Sequence, residues 1–139
     1  MVEAKMKWAG GLRFEGESTF GHPISTDASL NAGGDETGYK PTELLLFGLA
    51  GCTGIDVLTI LKKMRQDIAG LEIEVKGHQP EQFPKPFNKI EVKYIFKGKN
   101  LDRNKVEQAV QLSEDKYCSV SQTLKGIANI IPTIEIQEV

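Results

Sequence analysis

Residues 41–66 read PTELLLFGLAGCTGIDVLTILKKMRQ and form the longest apolar stretch of the chain. Pro41 suits the first turn of a helix, and Lys62, Lys63 and Arg65 suit its carboxyl-terminal end, where the helix dipole favours positive charge. We therefore predict one long helix over about 41–66. A helix that is apolar on most sides must be buried on most sides, and a small domain has little material to cover it. A second subunit is expected to supply that cover.

A transmembrane span is the alternative for this stretch, because the run from Leu44 to Leu61 is long and apolar enough to cross a membrane. Asp56 and three glycines interrupt the run, however, and no second span follows. A charged residue inside a membrane span is costly. We therefore expect a buried helix and no membrane partner.

The segments before the helix predict short strands and a loop. Residues 5–20 combine short apolar alternation with glycines, which is typical of one or two hairpins, and Ile24 is expected in a third strand. Residues 27–40 are rich in Gly, Asp, Asn and Thr and have no sustained period. This composition predicts a mobile loop.

The segments after the helix alternate strands and helices, and two of them show the period of two that a half-buried strand produces. The predicted elements are, in order, a strand at 71–78, a strand at 90–98, a helix from Asp102 or Asn104 to about Tyr117, a short helix at 118–126 and a strand at 130–139. This order predicts an α+β fold.

The composition of the chain fits one globular domain over residues 1–139, since 40% of the residues are hydrophobic and 26% are charged. Its parts would be hairpins at 1–40, the central helix at 41–66 and the remaining elements at 70–139. A net charge of −2 argues against nucleic acid or an anionic membrane as the partner. The first residues, MVEAKMKWAGG, lack the apolar stretch of a secretory signal, so we expect a cytoplasmic protein.

The two cysteines of the chain, Cys52 and Cys118, indicate a redox pair or two buried thiols that act as small hydrophobic residues. Cys52 lies among Gly48, Gly51 and Gly54, each of which costs a helix about 1 kcal/mol relative to alanine. These glycines predict close approach of a small ligand or of another backbone, and helix–helix packing explains them equally well.

The state of the Cys52 thiol depends on whether the helix is continuous. A break near Gly51 would place Cys52 at a helix amino terminus, where the dipole favours a thiolate. In a continuous helix a cation would have to lower the thiol pKa, and Arg13 on an early strand is the candidate. Cys118 lies at a junction between helices, 66 positions from Cys52, so the spacing cannot show that the sulfurs meet. A zinc site made of both cysteines with His22 and His78 is a weaker alternative, because no two of these residues have close ligand spacing.

Two segments carry a family resemblance. PTELLLFGLAGCTGIDV, residues 41–57, resembles the first cysteine motif of OsmC/Ohr proteins, in which a Pro-x-Glu-Leu start leads to Ala-Gly-Cys or Ala-Ala-Cys. CSVSQTL, residues 118–124, resembles their second motif, Cys-Pro-Val-Ser followed by a leucine. The order of the predicted elements is also similar, and the chain looks like a divergent OsmC-like branch.

The resemblance implies an OsmC-like fold, with antiparallel sheets around a long central helix in an intertwined homodimer, and no metal or organic cofactor. It further implies a thiol peroxidase of oxidative-stress defence that acts on organic hydroperoxides, with inorganic hydroperoxides as further candidate substrates. Cys52 would become a sulfenic acid, Cys118 would form a disulfide with it, and a dithiol such as a lipoylated protein would reduce that bond. The alternative is a dimer with little peroxidase turnover that binds small molecules or acts as a structural stress protein.

The resemblance assigns two further catalytic residues, an arginine that has a counterpart here and a glutamate that is displaced by one position. The family arginine corresponds to Arg13. The family glutamate directly follows the motif proline in the organic-hydroperoxide branch, and Thr42 occupies that position here. Glu43 comes one residue later and lies about 180° around a straight helix from Cys52, so it is a weak site residue.

Overall fold

A computed structural model describes residues 1–139, and the chain divides into two compact units, Met1–Leu45 and Leu46–Val139. The first unit contains strands β1 (Met6–Trp8), β2 (Phe14–Glu17) and β3 (Pro23–Thr26), and a short 3₁₀ helix, Leu30–Ala32. Helix α1 (Pro41–Lys63) begins in the first unit and continues into the second. The second unit then contains β4 (Asp67–His78), β5 (Lys89–Lys99), α2 (Arg103–Leu112), a π-helical turn (Ser113–Tyr117), α3 (Ser119–Leu124) and β6 (Asn129–Glu138). These elements confirm the predicted α+β class.

The first unit holds a three-stranded antiparallel sheet in the order β1–β2–β3. Gly10 and Gly11 have positive φ angles, 97° and 53°, and form the turn between β1 and β2. Such angles favour glycine because it has no Cβ atom. The predicted hairpins and the third strand at Ile24 are therefore confirmed.

The carboxylate of Asp27 organises the segment 27–40. It accepts hydrogen bonds from the backbone of Ala28, Asp35 and Thr37 and from the Thr37 hydroxyl, the last at 2.6 Å. These bonds, led by the Thr37 hydroxyl, lower the pKa of Asp27 to about 2. The segment has the predicted turn chemistry, but its hydrogen bonds give it a defined path, and its mobility stays a prediction.

The second unit holds a three-stranded sheet in the order β4–β5–β6, and this sheet is mixed. The β4–β5 pair is antiparallel, whereas β6 runs parallel to β5, with Ile90 opposite Ile130 and Tyr94 opposite Ile134. The expectation of antiparallel sheets is therefore correct for β1–β2–β3 and for β4–β5, and wrong for β6. The physical reason is the connection, because the chain crosses over through α2 and α3 before it returns to the sheet.

The core of the second unit lies between this sheet and the helices. Helix α1 contributes to this core one narrow stripe of buried residues four positions apart: Leu49, Thr53, Val57 and Leu61. Opposite this stripe lie buried residues of β5 and α2: Ile90, Val92, Tyr94, Phe96, Val106, Ala109 and Val110. Because side chains four residues apart share a helix face, α1 buries one face only.

The remaining faces of α1 carry apolar side chains that one chain leaves exposed, among them Ile55 and Leu58 at 70% and 44% exposure. By length and composition α1 could cross a membrane, although the core helix of a soluble protein passes the same test. The helix ends three residues earlier than predicted, with Arg65 just beyond it at a φ of 58°. A left-handed residue at this position is a common way to end a helix.

Candidate functional site

The sulfur atoms of Cys52 and Cys118 meet in the second unit, together with a carboxylate. A carboxylate oxygen of Asp56 and the two sulfurs all lie within 4.8 Å of one another. Cys52 and Asp56 are four residues apart on α1 and therefore share one face. Both cysteines are free thiols. A disulfide needs about 2.05 Å between sulfurs, so the two atoms would have to come closer before they could bond.

The two thiols differ in exposure. Cys52 is partly exposed, whereas Cys118 is fully buried in the core. Burial raises the pKa of Cys118 to about 11, and the neighbouring Cys52 and Asp56 act in the same direction. A hydrogen bond from the Ser121 backbone opposes this rise. At neutral pH Cys118 is therefore a thiol rather than a thiolate.

The local backbone explains where Cys118 points. The π-helical turn Ser113–Tyr117 ends at Cys118, whose extended φ and ψ of −75° and 103° begin a new helix. Its backbone N–H donates to the Ser113 carbonyl at 2.7 Å, and its sulfur accepts from the Ser121 N–H at 3.3 Å. Cys118 thus takes the N-cap position of α3, where a side-chain acceptor satisfies a free N–H group. This hydrogen bond holds the Cys118 sulfur, which lies within 4.8 Å of the Cys52 sulfur on α1.

A chain of buried hydroxyl groups leads away from Asp56. The Ser113 hydroxyl donates to Asp56 Oδ2 at 3.2 Å and lies 2.9 Å from Thr53 Oγ1. Thr53 Oγ1 in turn lies 2.7 Å from the Tyr94 hydroxyl. Because each hydroxyl has one hydrogen, the donation to Asp56 requires Thr53 to donate to Ser113 and Tyr94 to donate to Thr53. All three hydroxyls therefore direct a hydrogen toward Asp56.

Glu114 lies at the far end of this chain, beside Tyr94. Its side chain is buried, and Oε1 has no hydrogen-bond partner. Burial, with the negative charge of Asp115, raises the pKa of Glu114 to about 7, against the opposing charge of Lys125. Burial also raises the pKa of Tyr94. The hydroxyl chain thus ends near a carboxyl group whose pKa is raised to about 7.

Arg13 and Glu43 both belong to the first unit, and each has a partner there. The Arg13 guanidinium forms an ion pair with Glu15 at 2.9 Å and donates to the Thr37 carbonyl. Glu43 Oε1 accepts from the Lys40 backbone N–H at 2.9 Å. This is the glutamate half of a capping box, which stabilises the start of α1. The structure therefore gives Glu43 a structural role, and the catalytic roles of both residues stay predictions.

The helix α1 is continuous across Gly51, so the predicted break is absent. Cys52 consequently does not lie at a helix amino terminus and receives no help from the dipole there. Of the three glycines around Cys52, Gly54 makes the close approach, since a Cβ atom there would lie 3.1 Å from Ile73 Cδ1. Gly48 and Gly51 are exposed.

The alternative zinc set does not assemble as predicted. His78 Nε2 lies 2.7 Å from Glu91 Oε2 on the neighbouring strand, so this ring has a carboxylate partner of its own. His22 lies in the first unit, just before β3. Cys52, Asp56 and Cys118 offer three donor atoms of suitable type, which is one fewer than a structural zinc site uses.

The sequence reasoning missed Asp56 and the hydroxyl chain. Asp56 had a readable signal, because it is an acidic residue in an apolar helix, four positions after a cysteine. Thr53 also had one, because it is a polar residue four positions from both Leu49 and Val57 in an apolar helix. Ser113 and Tyr94 had none, because they lie 60 and 41 positions from Thr53 and meet it only in the folded chain.

An open depression of about 420 Å³ lies beside Asp56. Its lining consists mainly of apolar groups from α1 and the region before Cys118: Thr59, Ile60, Lys63, Met64, Leu112 and Tyr117. Lys63 brings the only cationic group of this lining. The depression can receive a small, mostly apolar molecule with its polar end toward the carboxylate.

Comparison with known proteins places the chain in a family. The OsmC-like protein family matches residues 33–132. Protein YhfA of Escherichia coli (strain K12) is 38% identical over 135 residues, which cover 97% of this chain and 98% of that protein. A hypothetical protein from Aquifex aeolicus VF5 superimposes with a TM-score of 0.88 at 32% identity, covering 100% of this chain and 98% of that one. The organic hydroperoxide resistance protein OhrB of Bacillus subtilis superimposes with a TM-score of 0.62 at 25% identity, covering 98% of each chain. These similarities implicate redox chemistry or hydroperoxide resistance, and the chain belongs to the OsmC-like protein family.

Proposed function

We propose that the protein is a thiol peroxidase that reduces organic hydroperoxides. The sulfur of Cys52 attacks a peroxide oxygen, the O–O bond breaks, and an alcohol leaves with a proton while Cys52 becomes a sulfenic acid. The Cys118 sulfur then displaces the sulfenic hydroxyl as water and forms a disulfide. A dithiol, for which a lipoylated protein is our candidate, exchanges with this disulfide and restores both thiols.

The unequal exposure of two neighbouring thiols is the observation that carries this proposal. A peroxide from solvent can reach Cys52, which is partly exposed, but not Cys118, which is fully buried. The buried thiol is nonetheless within 4.8 Å of Cys52. Oxidation of the outer sulfur followed by capture by the inner one is the reaction order that this asymmetry favours.

We further propose that Arg13 assists the first step, as the family resemblance implies. Guanidinium stays charged and can donate hydrogen bonds to both a thiolate and a peroxide oxygen. Arg13→Lys keeps the charge and loses the planar donor pair, whereas Arg13→Ala loses both. If Arg13 acts in this way, both variants lose peroxide reactivity at Cys52, and Arg13→Ala loses more.

We also propose that the working form is a homodimer that covers α1. Gly48, Gly51, Ile55 and Leu58 are exposed and follow one another at spacings of three and four residues, so they share a face. Small and apolar residues at this spacing suit a second helix packed closely against them. A membrane is the alternative cover, and detergent-free solubility as a dimer would argue against it.

The proposed activity is tested by turnover. Reduced protein is mixed with cumene hydroperoxide and, separately, with hydrogen peroxide, in the presence of excess dihydrolipoamide as the dithiol. We expect many turnovers with cumene hydroperoxide, complete loss of activity in Cys52→Ser, and strong loss in Cys118→Ser. An unreactive wild-type protein, or activity that survives in Cys52→Ser, would contradict the proposal.

A second candidate function follows from the depression of about 420 Å³ beside Asp56. Its apolar lining suits a small-molecule binding protein that turns over peroxide poorly. A single stoichiometric oxidation without sustained turnover would favour this candidate over the peroxidase.

A further inference from the structure

Asp56 lies in the thiol site but takes no part in the proposed attack of Cys52 on the peroxide. Its carboxylate is within 4.8 Å of both sulfurs. It acts to raise the pKa of Cys118, since a negative charge disfavours a second one nearby. Asp56 therefore does not stabilise a Cys118 thiolate. What a carboxylate at this position can do is accept and return a proton.

The resolving step requires such a transfer. Cys118 begins the step as a thiol, because burial raises its pKa to about 11. A thiolate is the effective nucleophile, so the thiol proton must leave as the S–S bond forms. At the same time the S–O bond of the Cys52 sulfenic acid breaks, and the departing hydroxide needs a proton to leave as water. One group that reaches both sulfurs can take the proton from Cys118 and give it to the departing hydroxide.

We infer that Asp56 carries this proton from Cys118 to the oxygen that leaves Cys52. The carboxylate takes the thiol proton, directly or through one water molecule, as the Cys118 electron pair forms the bond to the Cys52 sulfur. The S–O electron pair departs with the hydroxide, which takes the proton back from Asp56. The products are a disulfide, one water molecule and the original carboxylate. This inference rests on the proposed peroxidase function.

The surroundings of Asp56 suit this role. Ser113 donates to Oδ2, and the Thr53 and Tyr94 hydroxyls continue the chain behind Ser113. One carboxylate oxygen is thus held by the protein, which orients the group. The titratable groups around it are the two thiols, Lys63 and Tyr117 in the lining of the depression, and Glu114 and Tyr94 at the far end of the hydroxyl chain.

The test compares Asp56→Asn with wild type. Asparagine keeps the acceptor for Ser113 and cannot take a proton, and Asp67→Asn on β4, where the residue is exposed, is the matched control. Each protein is treated with one equivalent of cumene hydroperoxide, and sulfenic acid and disulfide are followed in quenched samples by mass spectrometry. We expect oxidation of Cys52 at a similar rate in all three, and disulfide formation about 100-fold slower in Asp56→Asn at neutral pH.

A pH profile separates proton transfer from a structural role. In Asp56→Asn the rate of disulfide formation should rise about tenfold per pH unit, because it follows the concentration of the Cys118 thiolate below its pKa of about 11. Wild type and Asp67→Asn should show a shallower dependence. Asp56→Glu keeps a carboxylate and should restore part of the rate at neutral pH.

The outcomes distinguish the two proposals. If Asp56→Asn forms the disulfide as fast as wild type, or with the same pH slope, the proton transfer is wrong while the peroxidase function stands. If the wild-type protein forms no sulfenic acid at Cys52, both proposals are wrong.

Discussion

Replacement of Thr53 by valine tests the hydroxyl chain behind the thiol site. Thr53 is buried at 1% exposure in the core stripe of α1. Its hydroxyl is 2.7 Å from the Tyr94 hydroxyl and 2.9 Å from that of Ser113. Valine has a similar shape and lacks the hydroxyl, so the substitution removes both hydrogen bonds without a large change of volume.

The expected loss of stability can be worked out from these contacts. A buried polar group that loses its partner costs about 1–3 kcal/mol. The Tyr94 hydroxyl loses its acceptor, which costs about 2 kcal/mol. Ser113 loses the Thr53 hydroxyl but keeps its bond to Asp56, which costs about 1 kcal/mol, so the combined cost is about 3 kcal/mol. The methyl group that replaces the hydroxyl returns about 0.8 kcal/mol in an apolar site. We therefore expect a net loss of about 2 kcal/mol in the free energy of unfolding.

Urea unfolding at a fixed protein concentration measures this loss. With a slope of about 2 kcal/mol per molar urea, the midpoint should fall by about 1 M. The control is Thr59→Val on the same helix, where an exposed hydroxyl donates to the Ile55 carbonyl. This control should change the free energy by less than about 0.5 kcal/mol. If Thr53→Val is as stable as the control, the hydroxyl chain does not contribute as described.

The remaining predictions concern Glu114, the two thiols and the exposed face of α1. Because burial raises the pKa of Glu114 from 4.5 to about 7, the folded protein binds more protons than the unfolded chain between these values. The free energy of unfolding in urea should therefore fall by about 1 kcal/mol per pH unit as pH rises through this window. Glu114→Gln should remove this pH dependence, and an unchanged dependence in the variant would contradict the raised pKa of Glu114. Iodoacetamide at about pH 8 should alkylate Cys52 well before Cys118, which is buried and has about 0.1% thiolate there, and equal labelling would count against the asymmetry. Ile55→Asp should convert the dimer to a monomer in light scattering, whereas a wild-type monomer would refute the dimer proposal.

The sequence predicted those elements whose signal is local and long. The helix over 41–66 and the strands at 71–78 and 90–98 correspond to α1, β4 and β5, because an apolar run and a period of two persist over many residues. The direction of β6 could not be predicted in this way. It depends on the path of the crossover through the helices rather than on any pattern within the strand.

The site was predictable in part, for a similar reason. The cysteines could be singled out by their motifs. Their proximity depends on the position of Cys118 at the end of the π-helical turn Ser113–Tyr117, close to Cys52 on α1. Glu43 illustrates a residue with two interpretations, and its catalytic role stays a prediction. A residue that resembles a family site residue has, in the structure, a local partner in the Lys40 backbone, and a capping box explains its position.

The most direct test of the central claim is identification of the bond that a single equivalent of cumene hydroperoxide forms. Peptide mass spectrometry of the wild-type protein should find an intramolecular Cys52–Cys118 disulfide. Cys118→Ser should instead retain a sulfenic or over-oxidised Cys52, and Cys52→Ser should not react. Absence of the Cys52–Cys118 bond, or equal reaction of both single variants, would contradict the account.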